Sequence, residues 1–251
     1  MERSTLPLSS GLLILFLAAC AGALRQGPVP PLPGRYEGLD AEYRLIWKEG
    51  SVVRKARLAA ALRPPHRVRL EVFDPLGGSR AVLVATEEGV ILLDPSERVF
   101  RRFASGSDAF EALSGMKIPT ECLAALLLGD PGVTPGWSCR PIEGGSSRSR
   151  TCTGPDGAPS VTLRRGGEEW EVRSPGSPLL QVDLEASSGP LPAPPGRIRI
   201  QEKAGERSAE LILRQLHFGA PPDDLFIIQP PPSFQEVLRG PSRAWILGEK
   251  P

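Results

Sequence analysis

Histidine is nearly missing from this chain. His66 and His217 are the only two, and methionine and tyrosine also occur only twice each. No HExxH, CxxC, phosphate-loop or GxSxG pattern is present, so the sequence signatures of zinc hydrolases, dithiol redox proteins, nucleotide-binding loops and serine hydrolases are lacking. His66 follows Pro64-Pro65 and His217 closes a strand-like run; neither has a catalytic partner nearby in sequence. An excess of one charge is lacking too. Thirty Lys and Arg face 29 Asp and Glu, for a net charge of +1, without the basic stripe that nucleic-acid binding requires. The carboxylates are scattered, and Asp74 and Asp94 each precede a proline, which is turn chemistry. A non-enzymatic protein with no metal and no cofactor is the expectation.

Long apolar runs are also missing. The one strong run, residues 11–19 (GLLILFLAA), is shorter than the ~20 residues that span a bilayer. It follows Arg3 and ends in Leu17-Ala18-Ala19-Cys20. A charged start, a short apolar stretch and small residues at its end are the parts of a secretory signal. The leucine, two alanines and cysteine match the lipobox of bacterial lipoproteins, so Cys20 is the expected lipid-attachment residue. Acyl chains on Cys20 would anchor the protein stably without a membrane span. Residues 1–19 then read as a lipoprotein signal peptide and 20–34 as the lipidated N-terminus with a proline-rich tether. The rest divides into a domain over 35–218 and a proline-rich C-terminal extension over 219–251. Ala21 stands where an aspartate would favour inner-membrane retention, so the periplasmic face of the outer membrane is the expected location.

Cysteine is scarce, with three residues besides Cys20. Cys139 and Cys152 flank the segment EGGSSRSR, and export permits disulfides; a Cys139–Cys152 bond across a hairpin is expected. Cys122 lies in an apolar helical stretch and reads as a buried thiol.

What the sequence has in quantity is two-residue alternation. Residues 67–73 (RVRLEVF) set Val68, Leu70 and Val72 against Arg67, Arg69 and Glu71. Residues 51–62 set Ala56, Leu58, Ala60 and Leu62 against Arg57. Such a period means strands with one dry and one wet face. Further strands are predicted over 80–86, 89–93 and 98–103, and at intervals from 137 to 217, divided by Gly, Pro, Ser and Asp turns. Two short helices interrupt them, one over SDAFEALSG with Ser107 as N-cap candidate and one over PTECLAALLLGD ending at Gly129. Leu123, Leu126 and Leu127 share a face of the second helix. The predicted class is mainly β: a curled antiparallel sheet of about ten to eleven strands, an incomplete barrel, with a short helical lid. The concave face of such a sheet either packs solid or keeps a cleft for an apolar ligand.

The stretch from Arg69 to Gly132 resembles the outer-membrane lipoprotein receptor family LolB. RLEVFDPLGGSRAVLVATEEGVILLDPSERVF and FEALSGMKIPTECLAALLLGDPG carry the resemblance in three landmarks. These are a strand leading to a Pro-Leu-Gly turn, an apolar hairpin with Asp94 in its turn, and a Leu-Ser-Gly-Met-Lys-Ile-Pro junction before a leucine-rich helix. The ending FGAPPDDLFIIQPPPSF is similar to the close of other LolA-type domains. The resemblance implies an incomplete barrel closed by helices. It also implies a function: accepting lipoproteins from a periplasmic LolA-like carrier and inserting their acyl chains into the outer membrane. In that reading Ala56, Leu58, Ala60, Leu62, Val68, Leu70, Val72, Leu123, Leu126 and Leu127 line the acyl cleft, and Leu76 is the residue that enters the membrane. The protein is expected to be a monomer whose partners are lipid acyl chains, the carrier and the membrane, with no nucleic acid. The second reading is a lipoprotein of the same fold acting as a non-catalytic interaction or assembly subunit.

Overall fold

The computed structural model describes residues 37–64, 66–118, 120–129, 138–141, 150–153, 160–165, 168–173, 179–185, 194–203, 205–227 and 229–237. The expected signal, lipobox with Cys20 and tether lie outside the described residues. Those described belong to one compact unit, Pro33–Pro251.

Among the described residues, fourteen strands join in one sheet. The first six are β1 (Leu39–Glu49), β2 (Val52–Arg63), β3 (Arg67–Phe73), β4 (Ser79–Thr86), β5 (Gly89–Asp94) and β6 (Val99–Phe103). Helices α1 (Gly106–Ser114) and α2 (Thr120–Leu128) follow. Then come β7 (Ser138–Pro141), β8 (Arg150–Thr153), β9 (Ser160–Arg165), β10 (Glu168–Arg173), β11 (Leu180–Glu185), β12 (Arg197–Glu202), β13 (Arg207–Phe218) and β14 (Gln235–Glu236). Eleven strands run five residues or more, as the alternation predicts; β7, β8 and β14 are shorter and extend the two edges. The order is β14-β6-β5-β4-β3-β2-β1-β13-β12-β11-β10-β9-β8-β7, and its two ends do not pair, so the barrel is incomplete. Every pairing is antiparallel except β14 on β6.

The alternation places one face inward. Leu39, Ala41, Tyr43, Leu45 and Trp47 of β1, Leu58, Ala60 and Leu62 of β2, and Val68, Leu70 and Val72 of β3 share a core with Leu180, Val182, Ile198, Ile200 and Leu211 from the other half of the sheet. The outer face is wet and carries ion pairs such as Arg69–Glu71 and Arg199–Glu210. Strand β4 departs from this pattern: Ala81 to Ala85 are all buried. Both of its faces are covered. Val82 and Val84 join Ile91 and Phe100 in a second cluster on the outer face, against which Phe234 of the C-terminal segment packs. A strand dry on both sides needs a continuous apolar run, which is what β4 has.

The C-terminal segment returns across the outer face. Asp223, exposed in a short turn, bridges Arg63 and Arg67. Leu225 offers its carbonyl to Arg69 Nη1 at 3.3 Å, Phe226 is buried, and β14 adds an edge beside β6.

The helices close the concave face. The N-cap of α1 is Ser105 rather than Ser107: its extended backbone lets the Oγ accept from the Asp108 N–H at 3.1 Å. Gly115 ends α1 in the left-handed conformation, as a C-terminal glycine should. Cys122 to Leu128 of α2 are all buried, so α2 is dry on every side, not only on the face shared by Leu123, Leu126 and Leu127. Gly106 brings the helices into close approach. A Cβ there would lie 2.2 Å from Thr120 Oγ1 and 2.9 Å from Thr120 Cγ2.

Candidate functional site

Beneath the lid all ten residues expected to line a cleft come together. Leu58, Ala60, Leu62, Val68, Leu70, Val72, Leu123, Leu126 and Leu127 are buried in one cluster, and half-buried Ala56 packs against it. The register accounts for their meeting: Leu58 faces Val72, Ala60 faces Leu70 and Leu62 faces Val68 across β2 and β3. Where sheet meets lid there is a cavity of about 30 Å³. Leu58, Leu70, Val72, Leu123 and Leu127 line it, together with Leu45, Trp47, Phe110, Leu113, Ser114, Met116, Ile200, Ala209 and Leu211. The sequence pattern did not single out these last nine. Tyr43, Leu45 and Trp47 alternate clearly enough to mark the dry face of β1; Phe110, Met116 and Ile200 reach the site only because the helices and the far half of the sheet dock there.

The cavity wall is apolar. Its single hydroxyl, on Ser114, is already engaged, donating to the Phe110 carbonyl at 2.8 Å and accepting from the Met116 N–H at 3.2 Å. Two other polar atoms within this core have no partner among the described residues: Tyr43 Oη and Trp47 Nε1. Burial alone pushes the Tyr43 phenol well above its ordinary pKa. A buried donor left unmade costs about 1–3 kcal/mol, so each indicates a place where an acceptor would be stabilising.

The lid is held at one point by a charged contact. Arg207, at the start of β13, donates from Nη1 to the Gly115 carbonyl at the end of α1 and from Nε to Glu49 Oε1, both at 2.8 Å. Glu202 is buried nearby, its Oε1 3.8 Å from Arg207 Nη1. Desolvation raises the Glu202 pKa, against the attraction of Arg207.

Leu76 lies at the same end of the sheet, on the β3–β4 turn, and is 97% exposed. The turn is tightly made. Asp74 Oδ1 accepts from the Leu76 and Gly78 N–H groups, each at 2.9 Å. The Asp74 N–H donates to the Gly78 carbonyl at 2.8 Å, and Arg80 Nε lies 3.2 Å from Asp74 Oδ2. The Gly78 N–H first, with the Leu76 N–H and Arg80, holds the Asp74 carboxyl below its ordinary pKa, although burial opposes it. Gly77 has φ +89 and open space around it. Beside the turn, on the outer face, a groove of about 540 Å³ is lined by Glu42, Tyr43, Arg44, Lys55, Ala56, Arg57, Asp74, Pro75, Leu76, Gly77 and Arg214. Among the described residues no group of His, Cys, Asp and Glu is placed to hold a metal, and no helix is long and apolar enough to cross a membrane.

Cys139 and Cys152 occupy directly opposed positions in the β7–β8 ladder; their side chains lie outside the described residues. Cys122 is buried in the core of α2.

No protein-family model matches the sequence, and no curated protein does. Solved structures do match. A LolA superfamily protein from Nitrosomonas europaea shares 12% identity at a TM-score of 0.54, over 78% of this chain and 91% of that one. A putative outer-membrane lipoprotein-sorting protein domain from Vibrio parahaemolyticus shares 13% identity at a TM-score of 0.51, over 76% and 89%. A DUF1329 family protein from Desulfovibrio piger shares 11% at 0.53, over 77% and 90%. At these identities the likeness establishes the fold, which is LolA-type: a mainly β, unclosed sheet with two short helices.

Proposed function

We propose that this protein is a lipid-anchored envelope lipoprotein that binds acyl chains between its sheet and its helical lid and helps insert lipoproteins into the outer membrane, without making or breaking bonds. The observation that carries the reading is the cavity at the sheet–lid junction, apolar on every side, in a core that also holds the unpartnered Trp47 Nε1. Each CH₂ moved from water into such a site contributes about 0.8 kcal/mol, and the ester or amide carbonyl of a lipid is an acceptor suited to an orphan indole N–H. At about 30 Å³ the cavity holds roughly one or two waters, against the ~300–1,000 Å³ of ordinary ligand sites. The proposed binding therefore requires α1 and α2 to move off the sheet. The hydrogen bond from Arg207 to the Gly115 carbonyl is what must give. Leu76 supports the insertion step, being an apolar side chain presented to solvent by a rigid turn.

The same small volume favours the second reading, an interaction subunit with a solid core, since bulky Trp47, Phe110 and Met116 are buried in that core. Titrating a fluorescent fatty acid into the unlipidated mature chain, residues 21–251, separates the two. Saturable binding displaced by lipoprotein acyl chains is the expected result; absence of binding transfers the protein to the interaction reading. A lid variant sharpens the test. Gly106→Ala drives a methyl into Thr120, costs about 1–3 kcal/mol by overpacking, and should speed acyl uptake while lowering the melting temperature.

A further inference from the structure

The groove beside Leu76 carries a charge pattern that the acyl cleft does not need. Arg44 and Arg57 occupy directly opposed positions on β1 and β2, an arrangement of like charges that destabilises a sheet unless something compensates it. Arg214 enters the same groove by way of a register irregularity: Glu42 pairs with Gln215 and Tyr43 with Leu213, so Arg214 is the extra residue. Bulges of this kind re-aim a side chain. Lys55 completes the lining from the neighbouring part of β2.

The acids present are already committed. Glu42 pairs with Arg57 at 3.5 Å, and Asp74 is held by the turn N–H groups and Arg80. Arg57 also stacks over Phe73, 4.2 Å from the ring centroid. Arg44, Lys55 and Arg214 bring three further cations into the groove, which its two acids do not balance, in a chain whose net charge is only +1. The concentration of charge is therefore local. Apolar side chains frame it at the same end of the sheet. Leu76 is 97% exposed, and Val52 and Val53, on the part of β2 that runs past the end of β3, are 41% and 53% exposed.

We infer that this groove binds the phosphate of an anionic phospholipid headgroup at the bilayer surface, with Arg44, Lys55 and Arg214 as its cations, while Leu76 and the Val52-Val53 tip enter the apolar boundary. Cations beside exposed apolar side chains are the complement of an anionic interface, whereas a soluble anion would gain nothing from Leu76. The inference rests on the membrane role of Leu76 proposed above and adds the lipid class that the end of the sheet recognises.

The test uses the unlipidated mature chain, residues 21–251, so that the anchor does not mask weaker contacts. Sedimentation is measured with vesicles of phosphatidylethanolamine and phosphatidylcholine, with and without phosphatidylglycerol. The wild type should partition more strongly onto the anionic vesicles, and salt at about 1 M should erase the excess. Lys55→Gln with Arg214→Gln should lower partition onto anionic vesicles by about fivefold per cation removed, roughly twenty-five-fold in all, and leave binding to neutral vesicles as it was. Leu76→Glu should weaken binding to both. Equal wild-type binding to the two vesicle types, or an undiminished anionic excess in the double variant, overturns the headgroup site. Displacement from anionic vesicles by millimolar glycerol phosphate overturns the membrane assignment in favour of a soluble anion. A Leu76→Glu protein that binds both vesicles normally overturns the membrane role of Leu76 and leaves the charge measurement to be read separately.

Discussion

Two turns at the same end of the sheet are built by one device and carry different residues at the same place. In the β3–β4 turn, Asp74 precedes Pro75 and accepts from the N–H groups of Leu76 and Gly78. In the β5–β6 turn, Asp94 precedes Pro95 and accepts from the N–H groups of Ser96, at 2.9 Å, and Glu97, at 3.1 Å. Each has one residue with positive φ, Gly77 at +89 and Arg98 at +55. Two residues after the aspartate, however, one turn holds a leucine and the other a serine whose hydroxyl lies 2.6 Å from Asp94 Oδ1. The backbone problem is the same in both, so turn formation does not account for Leu76. What distinguishes it is its neighbourhood: a basic groove on one side and the exposed Val52-Val53 tip beyond.

The largest expected effect falls on that leucine. Leu76→Glu should reduce membrane partition by more than about tenfold, since burying a leucine contributes roughly 1.5–3 kcal/mol. It should leave the melting temperature and acyl binding unchanged. Moving the leucine to the sister turn, as Leu76→Ser with Ser96→Leu, sharpens the point. Vesicle sedimentation should find partition still low, because the basic groove lies beside the first turn; full recovery would show that any exposed leucine at this end suffices.

Next in size are the positive-φ residues. Gly77→Ala forces a Cβ into a conformation that costs about 1–2 kcal/mol, a fall of several degrees in melting temperature for a chain of this length. Arg98→Gly should move the other way by a smaller amount, because relieving the strain is partly offset by ~0.5–1 kcal/mol of added chain entropy. Calorimetry on the pair checks both signs.

The smallest effect is pH dependence. A carboxyl whose folded pKa is lowered contributes stability above its unfolded pKa, and loses it as pH falls through the folded value. Asp74 is in this class, so exchange of the Leu76 and Gly78 amides should accelerate only below the ordinary Asp range, about pH 3.9. Glu202 has the opposite sign. Its raised pKa penalises the folded state at neutral pH and the penalty is relieved on acidification, so the Gly115 end of the lid should not loosen in mildly acid buffer. Amide exchange followed by NMR from neutral to acid pH distinguishes the two ends.

Much of this was legible in the residues. The alternation of Val68, Leu70 and Val72 specified strand β3 and its dry face, because only an extended chain turns every second side chain to the same side. The Pro-Leu-Gly turn marked Leu76, since a leucine between proline and glycine has no local partner to pack on. Less legible were features that depend on what lies opposite. The continuous run Ala81–Ala85 suits a buried strand or a buried helix equally; the C-terminal segment covering the outer face of β4 is what makes it a strand dry on both sides. Ser107 reads as the N-cap from local sequence but lies inside α1; the extended backbone at Ser105 makes that residue the cap.

By itself the sequence determined which side of β2 and β3 is dry and which turn exposes a leucine, since those follow from local spacing and turn chemistry. Only the tertiary structure decided how full the concave face is, because the volume left depends on how Phe110, Met116 and Ile200 meet across the lid. It also decided that Arg44, Lys55, Arg57 and Arg214 share one groove. They lie up to 170 positions apart, and each alone is an ordinary outer-face cation; the strand register and one bulge bring their charges together.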